Sequence, residues 1–355
     1  MTRRVWPALL GVALLALLTL LAPLALNDAQ LTIYVLMGLY AVVVIGLSLL
    51  MGYAGQVSLG QGAFFAIGGY AAALLTVRLG LQPVLSLAVA TAGTAVLAGL
   101  VGLPLLRLRG HYLAFATLAF QLIVLSVIGE ARGLTGGDTG LTGIPTLSIG
   151  SLSLAGRYRS FAFAYVAWVL VAGTLLLSSN LVRSRPGRGL RALATSEVGA
   201  LASGVAVGRF KLQVFSFSAA LAGMAGGVFA FFVGYIAPGT FPILLSVEFL
   251  VMAAVGGMGS ILGSLIGTVV IYLVVQGLQV VGTASGMPLQ APVIFSYAVY
   301  GLVLVGILLL LPEGLVPAAR RWLGRAGRHE TRASALELGA DGPETPVSAR
   351  DHPEE

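Results

Sequence analysis

Residues 51–70 read MGYAGQVSLGQGAFFAIGGY. Six glycines (Gly52, Gly55, Gly60, Gly62, Gly68 and Gly69) are interleaved there with Gln56, Ser58 and Gln61, and no residue is charged. The stretch lies inside an uncharged run from Ala29 to Val77, bounded by Asp28 and Arg78. A helix crosses about 30 Å of hydrocarbon in ~20 residues. The run is therefore long enough for two crossings, with glycines and glutamines at membrane depth. Five more uncharged runs follow the same pattern: Val5–Asn27, Leu79–Leu106, Ser160–Val182, Leu212–Val247 and Phe249–Pro312. Across 355 residues, 58% are hydrophobic and 9% charged, with a mean hydropathy of +0.98. A soluble domain carries roughly 25% charged residues, so this chain has too little polar surface to cover a core in water. The composition predicts an integral membrane protein.

The expected fold is all-α, a polytopic bundle of about ten spans with glycine-broken helices. The predicted spans are 7–26, 31–51, 57–77, 83–106, 112–129, 161–181, 212–236, 245–257, 261–281 and 292–311. The first run exceeds a signal-peptide h-region and lacks a convincing cleavage site, so it is read as a span. With both termini cytoplasmic, sixteen of the 20 Lys and Arg residues fall inside. Only Arg78, Arg132, Arg157 and Arg159 fall outside, a strong positive-inside bias. The bias requires a break near Gly256-Gly257-Met258-Gly259-Ser260, because one crossing over 245–281 would put the Arg320, Arg321, Arg325 and Arg328 cluster outside. The piece before that break is short, which points to a broken or re-entrant helix. Residues 1–318 are read as the membrane domain. Residues 319–355, rich in Glu, Asp and Pro, are expected to be a disordered cytoplasmic tail.

Residues 255–267, VGGMGSILGSLIG, repeat the glycine-rich pattern. Unwound backbone at membrane depth persists only when buried in protein or lining a cavity, and such breaks point to a translocation site. The candidate pathway residues are Gln56, Ser58, Gln61, Phe64, Phe65, Gly256, Gly257 and Gly259. A second reading stays open, in which the glycines and the two phenylalanines only pack helices closely. Glu248, the lone acid in the Leu212–Pro312 stretch, is placed in the first turn of the eighth span. There it is either a tolerated helix-start acid or part of a gate or subunit contact.

Residues 183–211 form a cytoplasmic loop. After Pro186-Gly187, a single amphipathic helix is predicted over 188–205, with Leu190, Leu193, Val198, Leu201 and Val205 as its stripe. Arg191, Thr195 and Glu197 lie opposite, and Gly204 is its stop. Such a helix either lies on the membrane surface or docks in a partner's groove. The outer loop 130–160, with Glu130, Arg132, Asp138, Arg157 and Arg159, is either a docking surface or merely solvated.

Several chemistries are excluded. No cysteine is present, and the three histidines, His111, His329 and His352, cannot form a cluster. No carboxylate pair or activated serine suggests an intramembrane enzyme. The net charge of +7 comes from arginines between apolar runs; it orients spans and does not indicate nucleic-acid binding. An ion-coupled carrier usually needs mid-membrane ionisable residues, and only Glu248 comes near that description.

GYAGQVSLGQGAFFAIGGYAAALL, RLRGHYLAFATLAF (107–120), LTGGDTGLTGIP (134–145), the 189–227 segment and SVEFLVMAAVGGMGSILGSLIG (246–267) together resemble the branched-chain amino-acid ABC transporter permeases. The second and third blocks resemble the LivM-type subunit. In the 189–227 segment, Gly199-Ala200 stands where the family more often has an alanine pair. The resemblance implies a type II ABC importer-like permease, working by alternating access and binding no cofactor itself. Its implied partners are a LivH-type permease subunit, two cytoplasmic ATP-binding subunits and an extracytoplasmic solute-binding protein, in a bacterial inner membrane. It also implies that the 183–211 loop couples to the ATPases, through Arg188, Arg191, Leu193, Glu197, Leu201 and Gly204. A P-loop needs a lysine followed by Ser or Thr; the single lysine, Lys211, precedes Leu212. ATP-driven transport would thus need a separate nucleotidase. A related permease for urea or short amides remains the alternative.

Overall fold

The computed structural model describes residues 21–282, except 109, 150–151 and 154–157, together with 298, 301–302 and 306. The predicted spans 7–26 and 292–311 lie largely outside the described residues, and the tail 319–355 wholly so. Residues 21–25 are helical. The helices that follow are α1 (Asp28–Ala54), α2 (Gln61–Leu79), α3 (Pro83–Leu105), α4 (His111–Glu130), α5 (Arg132–Thr135), α6 (Arg159–Arg183), α7 (Arg185–Thr195), α8 (Glu197–Ala202), α9 (Val207–Val233), α10 (Ile243–Gly256) and α11 (Ile261–Gly282). Among the described residues seven helical stretches are long and apolar enough to span a membrane, counting the turn at Pro238–Thr240 with α10, and Ile261–Gly277 is a shorter apolar one. This is a multi-pass membrane protein.

Helices α1 and α9, each 27 residues long and so about 40 Å, form the buried centre. Helix α9 packs on α1, α2 and α3, while α1 also meets α6 and α11. Glycine permits the closest crossing: a Cβ on Gly68 of α2 would overlap the backbone of Gly223 on α9. Packing at backbone contact gains dispersion energy that lipid cannot supply by a hydrophobic effect. Helices α3 and α4 instead leave most of their surface open, with Val96, Leu100, Leu103, Phe115, Ile123 and Val127 all exposed. Such a face suits hydrocarbon rather than water.

A loop layer closes the end where α2 and α9 finish. It holds α5 and a two-stranded ribbon, Ser148–Ile149 with Leu152–Ser153, the only strands among the described residues. Leu141 and Ile236 form an isolated antiparallel bridge. The Arg78 guanidinium donates to the Gly133 carbonyl at 2.9 Å. That of Arg159 donates to the Phe231 carbonyl at 3.2 Å and to the Phe232 carbonyl, at the negative end of the α9 dipole. Arg159, expected as part of a docking surface, is thereby committed inside the chain. Glu130, Arg132 and Asp138 remain exposed, and Arg157 lies outside the described residues.

Several boundaries differ from expectation. The span placed at 57–77 starts only at Gln61, because residues 55–60 are unwound. The span placed at 212–236 begins at Val207, so Arg209 and Lys211 ride on it. The predicted helix over 188–205 is two helices. Ser196 is extended (φ −161°, ψ 122°) and caps α8 by accepting from the Gly199 N–H at 3.1 Å. That break turns α8 relative to α7. Leu190 and Leu193 are buried, whereas Val198 (77% exposed) and Leu201 (55%) face outward and Ala200 turns in. The single stripe therefore does not exist.

Candidate functional site

The site is built around the unwound segment between α1 and α2. Helix α1 stops at Gly55, which adopts the left-handed conformation (φ 63°) that glycine tolerates. The Gln56 N–H returns to the Leu50 carbonyl at 3.2 Å. The N–H groups of residues 57–60 enter no helical bonds, although the Gly60 carbonyl accepts the first bonds of α2, so those N–H groups need other partners. The Leu59 N–H donates to Thr117 Oγ1 at 2.9 Å, and the Gly60 N–H to Ser58 Oγ at 3.3 Å. At the start of α2, the Gly62 N–H donates to Ser246 Oγ at 2.7 Å. Ser246 Oγ in turn donates to Gln121 Oε1 at 2.6 Å, and Gln121 Nε2 to the Pro242 carbonyl at 3.3 Å. Gln61 Nε2 donates to Ser218 Oγ at 3.0 Å.

Four elements thus converge: α2, α4 (Thr117, Gln121), α9 (Ser218) and α10 (Ser246). All of these polar side chains are buried, and the Oε1 atoms of Gln56 and Gln61 have no hydrogen-bond partner among the described residues. A buried amide oxygen left unpaired costs about 1–3 kcal/mol. Of the predicted residues, Gln61 joins this cluster through Ser218, and Ser58 bonds within the unwound segment that the cluster holds. Gln56 is buried in the same segment, and its side chain makes no hydrogen bond to the cluster among the described residues. Sequence reasoning missed Thr117, Gln121, Ser218 and Ser246. Gln121, a lone amide within YLAFATLAFQLIVL, was the available signal, since lipid offers it no partner.

Phe64 and Phe65 lie apart from the polar cluster in an aromatic core. Phe64 packs on Phe120 and Phe215 with ring centroids 5.4 and 5.5 Å away, and Phe65 on Tyr40, Phe229, Phe241 and Phe249. Both are fully buried, as Ser58 and Gln61 are, and their contacts are those of helix packing.

The second glycine stretch forms the turn from α10 to α11. Helix α10 has 14 residues, about 21 Å, too short to cross the bilayer alone. Its start meets Gln121 halfway along α4 and its end abuts α1, where the Gly259 N–H donates to Ser48 Oγ at 3.2 Å. Gly257 and Gly259 both have positive φ (102° and 81°). A Cβ on Gly256 would overlap the backbone of Gly263, so these glycines hold α10 against α11. Glu248 sits in the second turn of α10, not the first, and is half-buried. It lies within electrostatic range of Tyr40, near the middle of α1, and of Tyr272 on α11. That places it deeper than a helix-start position at the interface.

At the α7–α8 end, Arg188 and Arg191 are exposed, and Arg191 Nε donates to the Gly187 carbonyl at 3.4 Å. Gly204, with φ 77°, ends the segment. Lys211 Nζ on α9 meets Glu197 Oε2 on α8 at 2.8 Å. This ion pair ties the loop to the buried central helix.

A family profile described as "Branched-chain amino acid transport system / permease component" matches residues 30–308. The chain belongs to that permease family. Within it, this permease is similar to the LivM type. The high-affinity branched-chain amino acid transport system permease protein LivM of Escherichia coli (strain K12) is 30% identical, over 86% of this chain and 75% of the relative. Its Salmonella typhimurium (strain LT2) counterpart is also 30% identical, over 84% and 72%. A probable branched-chain amino acid transport permease protein LivH of Methanocaldococcus jannaschii is 32% identical over 59% of this permease and 68% of its own length. No solved structure matches the permease.

Proposed function

We propose that this permease is a pathway-forming subunit of an ATP-driven importer for branched-chain or other hydrophobic amino acids. Its partners in this reading are a LivH-type permease, two cytoplasmic ATP-binding subunits and an extracytoplasmic solute-binding protein. One observation carries the reading: at a glycine-broken segment, residues 55–60, in which Gln56, Ser58 and Gly60 turn inward, buried amides and hydroxyls from four elements are gathered. Half-helix ends at such a break present backbone dipoles to a zwitterion, and the two orphaned glutamine oxygens can accept from its ammonium group.

The mechanism is alternating access. The end bearing α7 and α8 is taken as cytoplasmic, in keeping with its cluster of arginines. An ATP-binding subunit grips Val198 and Leu201, the exposed apolar pair on α8, in a groove. Its ATP-bound and ATP-free forms interact differently with that knob, which is what shifts a two-state equilibrium. Displacement of α8 reaches α9 through Glu197–Lys211, and α9 carries Ser218, the partner of Gln61. Movement of α9 then opens the polar cluster. Glu248, half-exposed beside α1 and α11, serves as the gate or as the contact with the second permease. ATP hydrolysis belongs to the separate subunits, and this chain holds no cofactor.

The test is reconstitution of the permease with its three kinds of partner in proteoliposomes. ATP-dependent uptake of labelled leucine is expected, and Val198→Asp should abolish it while leaving the chain folded. Uptake driven by a proton gradient without ATP would favour the ion-coupled carrier instead. Uptake of urea but not leucine would favour the amide permease.

A further inference from the structure

A recess of about 350 Å³ opens where α3 ends and α9 begins. That is near the lower end of the roughly 300–1,000 Å³ range of small-molecule sites. Higher up, the two helices are pressed together, with Gly102 against Leu212 and Phe215. Below Gly102 they part. The recess is walled by Leu103, Leu106 and Leu212, and two guanidinium-bearing residues, Arg107 and Arg209, line its mouth. Gly208 also lines it, and a Cβ there would meet nothing within 4 Å.

Neither arginine has an acidic partner among the described residues, where the ion pair is that of Lys211 with Glu197. The first turn of α9 starts at the same place, adding unpaired N–H groups and the positive end of a long helix. On the bilayer side the recess continues into an apolar strip of α3. Leu103, Leu100 and Val96 are 57%, 62% and 63% exposed, and their i, i+4, i+7 spacing puts them on one face. Two cations at the end of a helix pair, opening onto a continuous apolar face, match an amphiphile with an anionic head. A free anion would have no use for the strip, and a zwitterionic lipid would set its own cation against the arginines.

We infer that this recess is a binding site for an anionic phospholipid. The phosphate lies between Arg107 and Arg209, and an acyl chain runs along Leu103, Leu100 and Val96. Basic pockets between spanning helices at this membrane end are where such headgroups are held. The inference requires only that the bundle spans a bilayer, and it stands whatever solute the permease carries. The site lies at the base of α9, the helix that Lys211 ties to the coupling segment, so lipid occupancy would brace α3 against α9 where movement enters the bundle.

The test uses the full-length chain in detergent, with phosphatidylglycerol or phosphatidylcholine of matched acyl chains added and bound lipid counted by native mass spectrometry. One phosphatidylglycerol per chain is expected to survive activation that strips phosphatidylcholine. Arg107→Gln and Arg209→Gln should each lower that retained fraction roughly fivefold. Gly208→Phe keeps both charges and puts a ring into the recess, and it should also displace the lipid. Arg183→Gln, which removes a cation elsewhere at the same end, should leave it bound. Unchanged weak phosphatidylcholine adducts on every variant report an intact fold. Any of four outcomes overturns the inference: equal retention of the two lipids, indifference to Gly208→Phe, equal loss with Arg183→Gln, or full displacement by millimolar inorganic phosphate. Cross-linking of Arg107→Cys to an ATP-binding subunit in the reconstituted importer would likewise assign the recess to a protein contact.

Discussion

Gly52 and Gly259 meet backbone to backbone: a Cβ built on Gly52 would overlap the Cα and N of Gly259. This contact joins the two glycine-rich stretches, the last turn of α1 to the turn between α10 and α11. The Ser48 hydroxyl, one turn earlier on α1, accepts from the Gly259 N–H at 3.2 Å. The broken ends of the bundle therefore brace one another rather than facing lipid separately.

Gly52→Ala is accordingly expected to force α1 away from that turn. Overpacking of this kind costs about 1–3 kcal/mol, and the obstacle here is backbone, so the upper end applies. Gly55→Ala meets open space and pays only for its left-handed conformation, about 1 kcal/mol. Thermal unfolding in detergent should rank wild type above Gly55→Ala and Gly55→Ala above Gly52→Ala. A Gly52→Ala chain as stable as wild type would mean that the two segments do not touch.

Ser246→Ala and Gln61→Met separate structure from transport in the polar cluster. The first strips a partner from both the Gly62 N–H and Gln121 Oε1, and should destabilise the chain by about 1–3 kcal/mol. The second removes a buried oxygen that has no partner together with a single hydrogen bond, from Nε2 to Ser218 Oγ, so its cost should be smaller, about 0.5–1.5 kcal/mol. If that oxygen receives solute, leucine uptake by the reconstituted importer should nevertheless fall severely. Normal uptake by Gln61→Met would confine Gln61 to packing.

Lys211→Met should show a different pattern. The ion pair with Glu197 is partly exposed, and such pairs contribute about 0–1 kcal/mol, so the melting temperature should barely move. The ratio of leucine transported to ATP hydrolysed should drop, because α8 would then move without drawing α9. Exchanging the two residues (Lys211→Glu with Glu197→Lys) should restore part of the ratio. Full restoration is not expected, since a lysine at the start of α8 opposes the helix dipole. An unchanged ratio in Lys211→Met would remove the pair from the coupling path.

Glu248→Gln keeps shape and hydrogen bonding but deletes the charge beside Tyr40 and Tyr272. With assembly of the permease pair unaffected, uptake is expected to fall about tenfold or more, the scale of a charged hydrogen bond. Weaker co-purification of the second permease would instead assign Glu248 to the subunit contact. Unchanged uptake together with unchanged assembly would exclude both roles.

Much of the architecture was readable residue by residue. The charge-free runs place α1, α2, α3, α6 and α9 to within about five residues, because crossing a bilayer is a matter of local length and polarity. The break between α10 and α11 also follows from local information, glycine density together with the balance of arginines. The coupling loop was harder. Leu190, Leu193, Val198 and Leu201 satisfy a helical stripe on paper, but Ser196 finds a better partner in the Gly199 N–H as a cap than as a mid-helix residue, and periodicity carries no term for that competition.

By itself the sequence determined that the chain lives in lipid and roughly where its spans run, and it marked the glycine-rich stretches around Gly55–Gly60 and Gly256–Gly259 as candidate breaks while leaving close helix packing open. Each of those conclusions depends on properties summed over neighbouring residues. Only the tertiary structure decided what the polar residues do. Gln61 reaches Ser218 across 157 positions, Gly62 reaches Ser246 across 184 and Ser246 reaches Gln121 across 125. Whether a buried amide finds its partner depends on which helix faces are pressed together, and that is settled by the packing of the whole bundle.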